Sequence, residues 1–110
     1  MLYKLRWIIA SLITLIAVTI FAFLIWFLWA ARPADPDAKQ PISYRLENGT
    51  SVDEIARRLE EEGIIKNAAA FNLFVTFRGL RSGLKAGTYE LNPNETMNDI
   101  AQQLAEGRIA

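Results

Sequence analysis

Two hydrophobic patterns divide the chain. From Trp7 to Ala31, WIIASLITLIAVTIFAFLIWFLWAA runs 25 residues without a charge. About 20 apolar residues cross a bilayer core, so this stretch predicts a transmembrane helix over 7–31, preceded by a short tail, 1–6. Its apolar length exceeds a signal-peptide core, and no A-x-A cleavage pattern follows. Trp7 at one end and Trp26 and Trp29 at the other suit the two membrane interfaces, where an indole keeps its N–H wet. Lys4 and Arg6 lie before the span and Arg32, Lys39 and Arg45 after it, so charge alone leaves the orientation open. The segment RPADPDAKQP, 32–41, has three prolines and predicts an extended, semi-rigid stalk of about 30 Å at most.

Beyond the stalk the pattern turns periodic. ISYRL alternates as a strand does, and ENGTS supplies a turn through Asn48-Gly49. Ser51 with Glu54 predicts a capping box opening a helix, whose core stripe is Val52, Ile55, Ala56 and Leu59. Gly63 is placed to end it. A second helix is predicted from about Asn67 to Gly79. Its Phe71, Leu73, Phe74, Val75 and Phe77 cover more than one face, which predicts the most buried helix of the unit. LRSGLKAG then reads as a loop, TYEL as a second strand, and NPNE as a turn. A third helix opens at Thr96 with Asp99 as its box partner, carrying Met97, Ile100, Ala101 and Leu104 before Gly107. The first strand–turn–helix, YRLENGTSVDEIARRL, therefore recurs 45 positions later as YELNPNETMNDIAQQL. The shared positions are strand, cap and core, so the echo describes architecture. The fold class predicted is α+β, a β-α-α-β-α unit at 42–110 behind one N-terminal membrane helix.

Charge and composition narrow the chemistry. Residues 33–110 carry nine Lys or Arg against twelve Asp or Glu, a mildly acidic balance that argues against a nucleic-acid partner. With no His and no Cys, zinc sites and Cys–His or Ser-His-Asp machinery are excluded, and no phosphate-binding glycine motif occurs. No metal or cofactor is expected. Among carboxylates, Glu60-Glu61-Glu62 is the densest group, but it ends an amphipathic helix away from its apolar stripe. It reads as a solvated helix end, with Arg57–Glu61 and Arg58–Glu62 as surface pairs. No catalytic residue is assigned. The candidate binding surface is formed by two polar loops, with Asn48, Gly49, Thr50 and Ser51 in one and Arg81, Ser82 and Lys85 in the other. Adjacent strands would bring them to one end as a shallow groove for an extended sugar chain; ordinary connecting loops are the plainer alternative.

GTSVDEIARRL resembles the opening of a LysM module, a small βααβ domain that binds N-acetylglucosamine-containing chains; the acidic residue that module carries after the glycine is absent here. The longer pattern, GTSVDEIARRLEEEGIIKNAAAFNLF, then LKAGTYEL, then TMNDIAQQLAEG, resembles the N-terminal region of the endolytic murein transglycosylase family (MltG, YceG-like). The family's Lys-Ala-Gly-x-Tyr segment is matched by Lys85, Ala86, Gly87 and Tyr89. The resemblance covers essentially all of 1–110. It implies a single-pass anchor in the bacterial cytoplasmic (inner) membrane, with the N-terminus inside and a LysM-like subdomain outside. It implies peptidoglycan glycan strands as the ligand, the lipid bilayer and cell-wall synthesis enzymes as partners, and a non-hydrolytic cleavage of nascent strands. The family's catalytic glutamate lies in a domain expected beyond residue 110, and no glutamate here matches it. Two alternatives from other classes are a non-enzymatic peptidoglycan-binding membrane protein and an adaptor for another envelope protein.

Overall fold

A computed structural model describes residues 2–109; Met1 and Ala110, the outer ends of the expected tail and domain, lie outside it. The element order is α1 (Leu2–Ala30), β1 (Ile42–Leu46), α2 (Val52–Glu61), α3 (Ala68–Phe77), β2 (Gly87–Leu91) and α4 (Met97–Glu106). The class is α+β. Helix α1 begins at Leu2, taking in most of the stretch expected as a tail, because Leu2–Arg6 contains no residue that breaks a helix. It is long and apolar enough to cross a membrane, and its 18-residue apolar window has no buried residue. Inside it, the Thr14 and Thr19 hydroxyls donate back to the Ala10 and Leu15 carbonyls at 2.9 and 2.8 Å. Two polar groups are thereby satisfied without water, as an apolar surrounding requires.

The two strands form one antiparallel pair centred on Tyr44 opposite Tyr89, flanked by Ile42 opposite Leu91 and Leu46 opposite Gly87. Both strands alternate alike: Tyr44, Leu46, Tyr89 and Leu91 point into the core, while Ser43, Arg45, Thr88 and Glu90 face out. The 45-residue echo thus acquires a spatial meaning, because exchanging the two copies maps this register onto itself about the Tyr44–Tyr89 pair. The helices obey the same shift, with α2 at 52–61 and α4 at 97–106. Each buries the same four positions, Val52, Ile55, Ala56 and Leu59 in α2 and Met97, Ile100, Ala101 and Leu104 in α4. Between them lies α3, which touches both.

Local chemistry closes the helix ends. At the end of α2, the Ile64 amide donates to Leu59 O at 2.9 Å and the Gly63 amide to Glu60 O at 3.0 Å. This Schellman closure needs a left-handed residue, and Gly63 provides it at φ 75°. Leu80 and Gly79 repeat both bonds at the end of α3. At the N-termini the two expected boxes differ. Thr96 and Asp99 exchange both hydrogen bonds. Ser51 accepts from the Glu54 amide, but the Glu54 carboxylate turns away to Arg58 at 3.3 Å and Arg57 at 3.7 Å. Arg58 is consequently drawn to Glu54, not to Glu62, whereas Arg57–Glu61 forms at 3.0 Å. The longer Glu side chain reaches cations one turn on, whereas α4 carries no Lys or Arg that would draw the shorter Asp99 away from its cap.

Two expectations differ from what is seen. Helix α3 buries Ala70, Phe71 and Val75, but Leu73 and Phe77 stand on its open side. A helix advances 100° per residue, so one packed face covers only part of an apolar circumference. Residues 32–41 are not extended: they fold into turns in which the Asp35 amide donates to Pro93 O at 3.0 Å and Ala38 to Asp35 O at 3.1 Å. The Met97 amide donates to Ala31 O at 3.1 Å. Ala30 is buried in the core, with Trp26, Phe27 and Ala31 packed against it. The end of α1 is therefore part of the α+β unit, and prolines that could have held a spacer open instead shape its turns.

Candidate functional site

The antiparallel register sets where the loops go. Leu46 ends β1 opposite Gly87, which starts β2, so the turn at 47–51 and the loop at 80–86 leave the sheet at one end. Between them lies an open groove of about 520 Å³ bordered by Arg45, Glu47, Asn48, Ala86, Gly87 and Thr88. It offers a guanidinium, a carboxylate, an amide and a hydroxyl around exposed backbone. Such a mixture can both donate to and accept from the hydroxyl and amide groups of an extended polar ligand. Arg45 and Thr88 face each other across the strands.

Of the seven residues singled out in the sequence, Asn48 lines this groove. Gly49 makes the turn at φ 84°. The Thr50 hydroxyl donates to Glu47 O at 2.8 Å, and the Ser51 hydroxyl accepts from the Glu54 amide at 3.2 Å, so both are engaged in shaping the turn and cap. Arg81 is directed elsewhere: its Nη1 donates to Asn72 Oδ1 at 2.5 Å and to Thr76 Oγ1 at 2.9 Å on α3. Asn72 in turn donates to Asp53 of α2, joining both helices to the loop. Ser82 is exposed in a turn. Lys85 is held by its backbone, whose amide donates to Leu104 O at 2.9 Å and whose carbonyl accepts from the Tyr89 hydroxyl. Its side chain lies along Gly107, where an added Cβ would come within 2.9 Å of Lys85 Cδ. The groove residues that sequence reasoning missed, Arg45, Glu47 and Thr88, lie in or beside strands. Outward strand positions read as ordinary solvated ones; only the pairing of Leu46 with Gly87 brings them to a shared edge.

Gly87 has its own constraint. It sits at φ 152°, and a Cβ there would fall 2.6 Å from Ile109 Cδ1, so the Lys-Ala-Gly-Thr-Tyr segment accepts the Ile109 side chain against its backbone. Burial raises the Tyr44 hydroxyl above its ordinary value; Arg58 opposes this, and Glu62 and Glu54 add to it. Burial raises Tyr89 as well. At the surface, the hydrogen bond from Arg108 lowers Glu106. Among the described residues no group of His, Cys, Asp and Glu could hold a metal ion.

Residues 44–110, the sheet and three helices just described, match the model of the YceG-like family. The chain belongs to the YceG-like family. It is 34% identical over 76 residues to an endolytic murein transglycosylase of Bacillus subtilis (strain 168), covering 69% of this chain and 21% of that protein. With an endolytic murein transglycosylase of Streptococcus pneumoniae (strain D39) it shares 28% over 75 residues, covering 68% of this chain and 13% of the relative. Among solved structures, a yceG-like protein of Listeria monocytogenes superposes with a TM-score of 0.62 at 32% identity, over 66% of this chain and 24% of that one. This YceG-like chain thus spans about a fifth or less of the length of the curated relatives it matches. The family match begins at Tyr44, so α1 and residues 32–41 fall outside it.

Proposed function

We propose that this YceG-like chain is the membrane-anchored N-terminal part of an endolytic peptidoglycan lytic transglycosylase, and that it holds nascent glycan strands near the membrane. The observation that carries this is the 34% identity with a murein transglycosylase over 76 residues. The β-α-α-β core acts as a LysM-like module. The groove bordered by Arg45, Glu47, Asn48 and Thr88 takes the acetamido and hydroxyl groups of the sugar chain. Ser82 and Lys85 flank the same end of the sheet and extend the contact. Helix α1 anchors the chain in the bacterial cytoplasmic membrane, with the α+β unit on the outer side, where the wall and its synthesis enzymes are. The 110 residues hold a strand and do not cleave it: Glu60, Glu61 and Glu62, the densest carboxylates, stand exposed at the end of α2 and outside the groove.

The test is co-sedimentation of the full chain, in lipid nanodiscs, with purified peptidoglycan sacculi. Binding should exceed that of nanodiscs carrying an unrelated acidic domain, and the double variant Arg45→Ala/Asn48→Ala should weaken it about tenfold, the effect of losing one charge-assisted hydrogen bond. Equal sedimentation of all three rules out sugar recognition. Release of anhydro-muropeptides by residues 1–110 would overturn the non-cleaving role.

A further inference from the structure

Helix α3 has an apolar side that the fold leaves open. Its core side holds Ala70, Phe71 and Val75, whereas Leu73 is 46% exposed and Phe77 is 93% exposed. Positions four apart lie on one row of a helix, so Ala69, Leu73 and Phe77 form a single exposed apolar row. A phenylalanine almost wholly in water is unfavourable unless something covers it.

The height of this row is set by α1. Phe74, next to Leu73 and one turn from Phe77, lines a recess of about 340 Å³ together with Phe27, Leu28, Ala31 and Arg32. Just ahead of α3, Lys66 holds its Nζ 4.5 Å from the centroid of the Trp29 ring. The approach to α3 at Lys66 and its Phe74 therefore both stand beside the last turn of α1. At 1.5 Å per residue, Trp26 lies roughly 30 Å along the helix from Trp7, which is the thickness of a bilayer's hydrocarbon core. With Trp7–Trp26 filling that core, α3 is level with the headgroups.

Charge agrees with this placement. Arg32, Lys66 and Arg78 lie around the row, and among the described residues none of them forms an ion pair. The Arg78 guanidinium lies 5.5 Å from the centroid of the Phe74 ring, on the side of α3 that meets α1. An apolar strip edged by unpaired cations suits an anionic lipid surface, into which aromatic side chains sink while cations stay at the phosphates.

We propose that the Leu73–Phe77 face of α3 rests in the headgroup region of an anionic bilayer, a second membrane contact beside α1 that holds the α+β unit in one orientation. This rests on reading α1 as membrane-spanning. The chain has no cysteine, so single-cysteine variants can carry a spin label at Leu73, Phe77, Ile16 within α1, or Glu90 on the outer face of β2. The full chain is reconstituted in vesicles with and without phosphatidylglycerol, and the accessibility of each label to oxygen is compared with that to a water-soluble nickel chelate. At Leu73 and Phe77 the ratio should exceed that at Glu90 severalfold, fall short of that at Ile16, and drop without the anionic lipid. Ratios at 73 and 77 equal to that at Glu90, with Ile16 in lipid, overturn the proposal and leave the anchor standing. An aqueous value at Ile16 overturns both. Spin–spin broadening at Phe77 without gain of oxygen accessibility means that a second copy covers the face, which also overturns it.

Discussion

Tyr89 carries its ring fully into the core and its hydroxyl to the Lys85 carbonyl, linking β2 to the loop before it. Tyr89→Phe keeps the ring and removes the donor, leaving a carbonyl without its partner. It should lower stability by about 1–2 kcal/mol, read as the urea midpoint of the α+β unit in detergent micelles. Tyr44 and Tyr89 also predict a response to base. Both are raised from the ordinary value of 10.0 by burial, because the phenolate is less stable in the fold than in the unfolded chain. Their contribution is fully present below pH 10.0 and is lost as pH rises through the folded values. Tyrosinate absorbance from Tyr44 and Tyr89 should therefore appear late and together with unfolding. At Gly87, φ 152° and the side chain of Ile109 together exclude a Cβ. Gly87→Ala should cost about 1–3 kcal/mol by the same urea measurement.

At the scale of elements, α2 and α4 share bounds and buried positions but not their caps. In α4 the Asp99 carboxylate accepts from the Thr96 amide at 3.3 Å; the Glu54 carboxylate of α2 makes only exposed ion pairs. Asp99→Ala should therefore cost about 1 kcal/mol and Glu54→Ala a few tenths, a contrast readable in urea unfolding of the two variants. The stripes, the turns at Asn48-Gly49 and Asn92–Glu95, and the glycine stops were all legible in the chain, because they depend on neighbours within about four residues. Which carboxylate closes its box was not. Ser51…Glu54 and Thr96…Asp99 have the same spacing, and the outcome depends on side-chain length and on Arg57 and Arg58 waiting one turn ahead. The burial of α3 was likewise only half legible. Its apolar residues cover more than one face, and the positions of α2, α4 and the sheet decide which part of the circumference is covered.

Across the whole molecule, the joint between α1 and the α+β unit is a packed contact of Ala30 with the core, flanked by Trp26, Phe27 and Ala31. Ala30, 1% exposed, sits inside it, so Ala30→Asp would bury a charge without a partner. This variant should free residues 32–41 and raise the rate of tryptic cleavage after Lys39 severalfold in micelles, while the cut sites at Arg57 and Arg58 within α2 stay protected. The candidate groove belongs to the same scale. Asn48 could be singled out from its turn, but Arg45 and Thr88 are 43 residues apart and meet only through the strand register. Arg81, polar and beside a glycine-bearing loop, was an equally good candidate until Asn72 and Thr76 were seen to hold it against α3. What the amino-acid sequence determined by itself was the apolar helix, the order of elements, their stripes and stops, and the repeated strand–turn–helix, all products of local periodicity and backbone chemistry. Only the tertiary structure decided that the two copies pair about Tyr44 and Tyr89, that the proline-rich segment folds onto Pro93, and that Leu73 and Phe77 face outward. Those outcomes depend on which distant surfaces meet, and no spacing along the chain encodes that.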